Sequence, residues 1–183
     1  MADDARRRRI VDTALRALDE HPYEHVQMRD VAASTGIALG TLYRHFSSKE
    51  HLYATVLLEW AAAGRSEAAR TAGRGPAARV RARIHGVITA YSDQPQFYRV
   101  QVLLHSSSDP NARAVMTEFD AIARAVLAQD LAALLPGGAA DAAIMLWSLV
   151  TSRLTAVVYG DGDPAEVHRL ADSFVDLLER RRP

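Results

Sequence analysis

The chain has 183 residues, enough for one domain with a sizeable core or for a small domain joined to a larger one. Apolar residues make up 49% and charged residues 24%, as in soluble globular proteins, and the lack of cysteine excludes disulfide scaffolds, thiolate zinc sites and thiol nucleophiles. The 22 basic residues balance 22 acidic ones, so any nucleic-acid contact must come from a local patch rather than from net charge.

Helical periodicity dominates and no stretch alternates as a half-buried strand does, so the fold class expected is all-α, with about nine helices. Ile10, Ala14, Ala17 and Leu18 fall at helical spacing and predict a first helix over Asp4–Glu20, ended by Pro22. The Arg6–Arg9 run reads either as a solvated arm or as an arm reaching phosphate or a minor groove. Short helices follow over Met28–Thr35, closed by Gly36, and Leu39–His45. Ser47 and Glu50 read as a capping box opening a longer helix that carries Leu52, Val56, Leu57 and Trp60 on one face. Residues 71–76, with two glycines and a proline, form the best internal break. Further helices are expected over Ala77–Ser92, Gln96–Ser106, Ala112–Leu135, Ala139–Tyr159 and Pro164–Arg181, separated by proline and glycine.

No apolar stretch follows the N-terminal arginines, so a secretory signal is not expected and a cytoplasmic location is. The longest apolar run, Ala142–Val158, is interrupted by Ser148, Thr151, Ser152 and Arg153, which favours a buried helix over a membrane span. His21 and His25 flank a proline in a loop, which does not suit shared metal ligation. Asp161 and Asp163 lack the rest of a calcium loop and read as a turn that caps the last helix. No nucleophile, metal set or cofactor loop is recognisable, so neither an enzyme nor a bound cofactor is expected.

The informative segment runs from Val26 to Leu52. Two short helices joined by a glycine-containing turn, with Val31, Ala32, Ile37 and Leu42 spaced to lock them together, make a helix-turn-helix over about residues 27–46. The second helix carries Gly40, Thr41, Tyr43, Arg44 and His45, a set suited to a groove floor and its phosphate walls. This segment resembles the DNA-binding domain of the TetR family of repressors. The matching positions are Arg29, Val31-Ala32, Gly36-Ile37, Gly40-Thr41-Leu42-Tyr43, His45-Phe46, Ser48-Lys49 and Leu52, and Arg9–Ala14 matches the family's first helix. The likeness covers about residues 6–62.

The resemblance implies a DNA-binding domain over 1–62 and a helical ligand-binding and dimerisation domain over 63–183. It places Tyr43, His45 and Lys49 on phosphates, Gln27 where the family usually has a phosphate-contacting threonine, Ala38, Leu39, Gly40 and Thr41 toward the major groove, and Arg29 and Arg44 beside them. Ala38 stands where a serine is usual, so the recognition helix lacks a side-chain cap worth roughly 1 kcal/mol. Leu39 stands where a polar residue is common, which shifts specificity toward thymine methyls and DNA shape. The Gln27-Met28 start and the Leu39–Tyr43 stretch resemble regulators of sterol and lipid catabolism in actinobacteria.

The partners implied are a double-stranded DNA operator, a second copy of the chain, and a small apolar or amphipathic ligand, with no membrane. Ligand release of a repressor from a palindromic operator is the mechanism the resemblance implies; a helical protein-interaction module or an enzyme on a helical bundle are the alternatives. Candidate pocket residues are Phe97, Tyr98, Leu104, Met116, Phe119, Trp147 and Arg153. The apolar run Leu146, Leu149, Val150, Leu154 and Val157 covers more than one helix face and, with Leu170 and Phe174, is the expected dimer interface.

Overall fold

The computed structural model describes residues 2–71 and 73–180, with backbone alone at residues 2 and 67–71. Among the described residues there are nine α-helices, one 3₁₀ turn and no strand. The helices are α1 (Ala2–Glu20), α2 (Met28–Thr35), α3 (Leu39–His45), α4 (Lys49–Thr71), α5 (Pro76–Asp93), α6 (Pro95–His105), α7 (Pro110–Leu131), α8 (Ala139–Tyr159) and α9 (Pro164–Arg180). The 3₁₀ turn, Tyr23–His25, lies between α1 and α2.

Local signals set most of these limits. Gly36 ends α2 in the left-handed region at φ 69°, and the amides of Gly36 and Ile37 turn back to the carbonyls of Ala33 and Ala32. That double bond is a Schellman turn, which satisfies two carbonyls that a helix end leaves open. Asp163 caps α9 through its Oδ1, 2.8 Å from the Ala165 amide, so the Asp161–Pro164 stretch is the turn the sequence predicts. Helix α1 begins at Ala2, earlier than expected, because Asp3 and Asp4 in its first turn complement the helix dipole. The arginine run therefore lies on a helix and not on an extended arm. Helix α7 stops at Leu131, four residues early, and Pro136 disfavours helical geometry at Leu135 just beyond.

The chain divides into two units: Met1–Ala61 with Gln96–Phe119, and Ala62–Pro95 with Asp120–Pro183. The first break falls one residue from the expected limit at 62, but α6 and the first half of α7 return to the N-terminal unit. In that unit Ile10, Val11, Ala14 and Leu18 of α1 pack in a core with Leu42, Phe46, Leu52 and Leu57. The Tyr53 hydroxyl donates to the Ala14 carbonyl at 3.2 Å, and its ring meets Tyr23 edge-on at 5.2 Å. Trp60 stacks on the fully buried Phe97, with ring centres 4.6 Å apart and planes within 11°.

In the second unit α5, α8 and α9 pack against one another. Val80, Ile84 and Ile88 of α5 are buried with Leu146, Val150 and Leu154 of α8 and Val167, Ala171 and Val175 of α9. Helix α8 is long and apolar enough to cross a membrane, but its buried residues Ala142, Leu146, Val150, Leu154 and Val158 form one helical stripe within the unit. That is the pattern of an amphipathic bundle helix. Polar ties join the outer edges: Arg81 pairs with Asp172, Asp176 and Glu179, and Arg83 with Asp130. Arg153 pairs with Glu166 at 2.9 Å.

Candidate nucleic-acid interface

Helix α3 is amphipathic over only seven residues. Leu42 is fully buried and fixes its inner side, and Phe46, also fully buried, anchors its end. Leu39 and Tyr43 stand 41% and 47% exposed on the opposite side, although both are large and apolar enough to belong in a core. Gly40 and Arg44 are exposed beside them, and Thr41 is half-buried. A Cβ built on Gly40 meets nothing within 4 Å, so the fold itself does not demand glycine there. A short helix that shows leucine, tyrosine, arginine and a bare backbone to the outside is shaped to enter something.

The neighbouring candidates are disposed unevenly. Gln27, at the start of α2, is exposed, as are Ala38 and Arg29, whose guanidinium lies 3.5 Å from Asp30. Ala38 supplies no side-chain bond to α3, as its type dictates. Arg44 donates to the Thr41 hydroxyl at 3.2 Å along the same face. The His45 side chain is largely covered, with Nε2 3.6 Å from the Asp3 carboxylate. Lys49 is partly sheltered: its ammonium donates to the Tyr23 carbonyl and sits 3.9 Å from the centre of the Tyr23 ring. Burial pulls its pKa down, against the opposing fields of Glu24 and Glu50. Arg7 of the arginine run lies 5.1 Å over the Phe46 ring and 3.9 Å from Glu59, whereas Arg8 and Arg9 are exposed. The face open to a partner is therefore Leu39, Gly40, Tyr43 and Arg44 with Gln27, Arg29 and Ala38; His45 and Lys49 flank it from more sheltered positions.

The start of α4 departs from the expected capping box. Ser48, not Ser47, is the cap: its Oγ accepts the His51 amide at 2.9 Å. His51 occupies the reciprocal position, its Nδ1 accepting the Ser47 amide at 3.2 Å. Ser47 turns its hydroxyl to Asp109 and Asn111 at the beginning of α7. An Asp-Pro pair before a helix is the sequence signal that marks Asp109 as the cap of α7.

Of the residues proposed for a ligand pocket, Phe97, Tyr98, Leu104, Met116 and Phe119 are buried in the first unit; Trp147 and Arg153, both half-buried, belong to the second. Arg153 is engaged by Glu166 in an ion pair within its own unit. Leu146, Val150 and Leu154, expected at a dimer interface, are instead taken up by the core of their own unit, because α5 and α9 cover that stripe of α8. Leu149, Val157, Leu170 and Phe174 are half-buried, and Ile144, Met145, Tyr159 and Leu177 are the large apolar residues left exposed on α8 and α9. Among the described residues no group of three or more His, Asp or Glu side chains is arranged to hold a metal ion.

Residues 10–56 match the model of the bacterial regulatory proteins, tetR family. The HTH-type transcriptional repressor KstR of Rhodococcus jostii is 33% identical over 113 residues, covering 62% of this chain and 53% of that protein. The chain thus matches about half the length of that curated relative. A TetR transcriptional regulator from a Rhodococcus species superposes over 100% of both chains with a TM-score of 0.79 at 21% identity, a likeness of fold. The regulator FadR from Bacillus subtilis, solved in complex with stearoyl-CoA, covers 96% of this chain and 98% of its own with a TM-score of 0.68 at 18% identity. These relatives are transcriptional regulators. With its helix-turn-helix in register from α1 into α4, the segment 10–56 is similar to the DNA-binding part of the tetR family of bacterial regulatory proteins.

Proposed function

We propose that the chain is a DNA-binding transcriptional regulator, a dimeric repressor that leaves a palindromic operator when a small apolar or amphipathic ligand binds. The observation that carries this reading is the outer side of α3, where Leu39, Gly40, Tyr43 and Arg44 are exposed on a helix locked from within by Leu42 and Phe46. Phosphate contacts from Gln27, Tyr43, His45 and Lys49 set register, while Ala38, Leu39, Gly40 and Thr41 meet base edges. Lys49 reaches a phosphate by leaving its seat on Tyr23.

One seven-residue helix supplies too few contacts for useful discrimination, so two copies related by a two-fold axis read two half-sites ~34–36 Å apart. The half-buried Leu149, Val157, Leu170 and Phe174, with the exposed Ile144, Met145 and Leu177, supply the apolar surface for pairing. The stearoyl-CoA complex of FadR supports a lipid-like effector, with the buried Phe97, Tyr98, Leu104, Met116 and Phe119 of the first unit as the residues to probe. Such a ligand acts by binding one conformer better, and a coupling of ~1–3 kcal/mol changes operator affinity by roughly 5- to 150-fold. The site of action is the cytoplasm, where the operator is.

A mobility-shift titration with the promoter region beside the protein's own gene tests the reading. A retarded complex of dimer stoichiometry, lost on exchange of Tyr43 for alanine, is expected. Absence of retardation at low salt would defeat the proposal.

A further inference from the structure

The α3–α4 turn is bound to a segment more than sixty positions away in sequence. Asp109 Oδ1 accepts the amides of Asn111 and Ala112, each at 2.8 Å, as an ordinary helix cap does. Its other oxygen, Oδ2, accepts the Ser47 hydroxyl at 3.1 Å. Asn111 returns the bond, its Nδ2 donating to Ser47 Oγ at 2.9 Å. One serine hydroxyl therefore both gives to and receives from the start of α7.

Ser47 occupies a decisive place. Phe46 ends α3 and is sunk in the core, while Ser48 caps α4, so Ser47 lies where the recognition helix hands over to the next element. Its amide is taken by His51, whose ring meets Phe46 edge-on at 5.3 Å. The polar groups of Ser47 are thus committed either to α4 or to α7. Asp109 is well suited to hold them, because the Ala112 amide, with the hydroxyls of Ser47 and Ser48, keeps its carboxyl below the usual range. It therefore remains an anion and an acceptor.

We propose that Ser47, Asp109 and Asn111 form a polar clasp through which the start of α7 positions the recognition helix, making the α6–α7 corner part of the DNA-reading body. The proposal rests on the reading of α3 as the DNA-contacting helix. It accords with the grouping of Gln96–Phe119 with the N-terminal unit, which places the clasp inside one compact body. Its members are largely exposed, and exposed hydrogen bonds add little to stability; their value here is geometric, fixing the direction in which α3 leaves its anchor.

The test is a double-mutant cycle on the full-length chain, with Ser47→Ala, Asn111→Ala and the pair, and with Ser47→Thr as the variant that restores the hydroxyl. Affinity for a labelled duplex of mixed sequence is measured by fluorescence anisotropy, and amide exchange is followed over residues 42–52 and 109–113. Each single change is expected to weaken binding by roughly 3- to 10-fold, the pair to be no worse than the more severe single, and Ser47→Thr to restore affinity. Exchange should rise in both segments whichever partner is changed. Additive losses, failure of Ser47→Thr to restore binding, or exchange that rises only around the altered residue would overturn the clasp. If the unaltered protein binds no duplex, the regulator reading fails, and the exchange measurement still decides whether the clasp orders α3.

Discussion

Lys49 rests its ammonium 3.9 Å from the centre of the Tyr23 ring while donating to the carbonyl of that same residue, so α4 is stapled to the 3₁₀ turn by a residue that is also proposed to hold a phosphate. The two roles separate experimentally. Lys49→Ala should lower stability by about 1 kcal/mol, a fall of roughly 2–4 °C in Tm for a chain of this size. It should also reduce the slope of log affinity against log salt by about one. A lower Tm with an unchanged salt slope would leave the staple and remove the phosphate contact.

Tyr43 offers the cleaner probe of the proposed DNA face, since nearly half of it is exposed and it is not part of the core. Tyr43→Phe should leave denaturant midpoints within about 0.5 kcal/mol of the parent. Binding to all duplexes should weaken by a similar factor, roughly tenfold, because a phosphate contact sets position and not sequence. Titrations against matched and scrambled duplexes check both halves of this expectation.

Two histidines give the protein a pH dependence of definite sign. Burial holds the pKa of His51 below its ordinary value, with Arg7 adding to the effect and Asp109 opposing it. Burial does the same to His168, helped by His85 in edge contact at 4.6 Å and opposed by Asp172. The folded chain therefore favours the neutral rings, and the unfolded chain binds more protons in the window just below the ordinary histidine pKa. Stability should be full above about pH 6.5 and fall as the pH drops below it. Urea midpoints at about pH 8 and about pH 5.5 should show the loss, and His51→Gln with His168→Asn should reduce it.

Arg83 and Asp130 form the more sheltered of the ion pairs, with side chains only 17% and 11% exposed. Removing one partner strands the other, so Asp130→Ala should destabilise by about 3 kcal/mol. The double change Arg83→Met with Asp130→Leu should recover most of that. By contrast, Arg81→Ala should cost about 1 kcal/mol, because its three carboxylate partners are open to solvent. Chemical denaturation of these variants beside the parent distinguishes the cases.

On α8 the buried and exposed stripes should respond oppositely. Leu146→Ala should cost ~2–5 kcal/mol of stability by opening a cavity. Met145→Asp with Leu177→Asp should keep the fold and, on the proposed pairing, turn the dimer into a monomer in light scattering behind size exclusion.

What could be read from the residues alone was what neighbours in sequence decide. The limits of α2 and α3 follow from Gly36 and from the Ala38–Leu39 start, and those of α8 from Gly138 and Gly160. The cap of α4 was misplaced by one residue because the hydroxyl of Ser47 is claimed by Asp109, a partner that no local pattern reveals. The return of residues 96–119 to the N-terminal unit is likewise a matter of tertiary packing. Helix α8 is apolar on more than one side, so its composition could not tell which stripe the chain keeps for itself; α5 and α9 choose Leu146, Val150 and Leu154. Of the residues assigned to DNA by the resemblance, Tyr43 and Arg44 are exposed, while the sheltering of His45 and Lys49 depends on Asp3 and Tyr23, which belong to other elements.

The open space over Gly40 has an evolutionary consequence. A methyl group there would collide with nothing and would strengthen a short helix by up to about 1 kcal/mol, yet the chain forgoes it. Position 40 is thus a place where a single codon change can alter what the outside world meets while leaving the interior undisturbed.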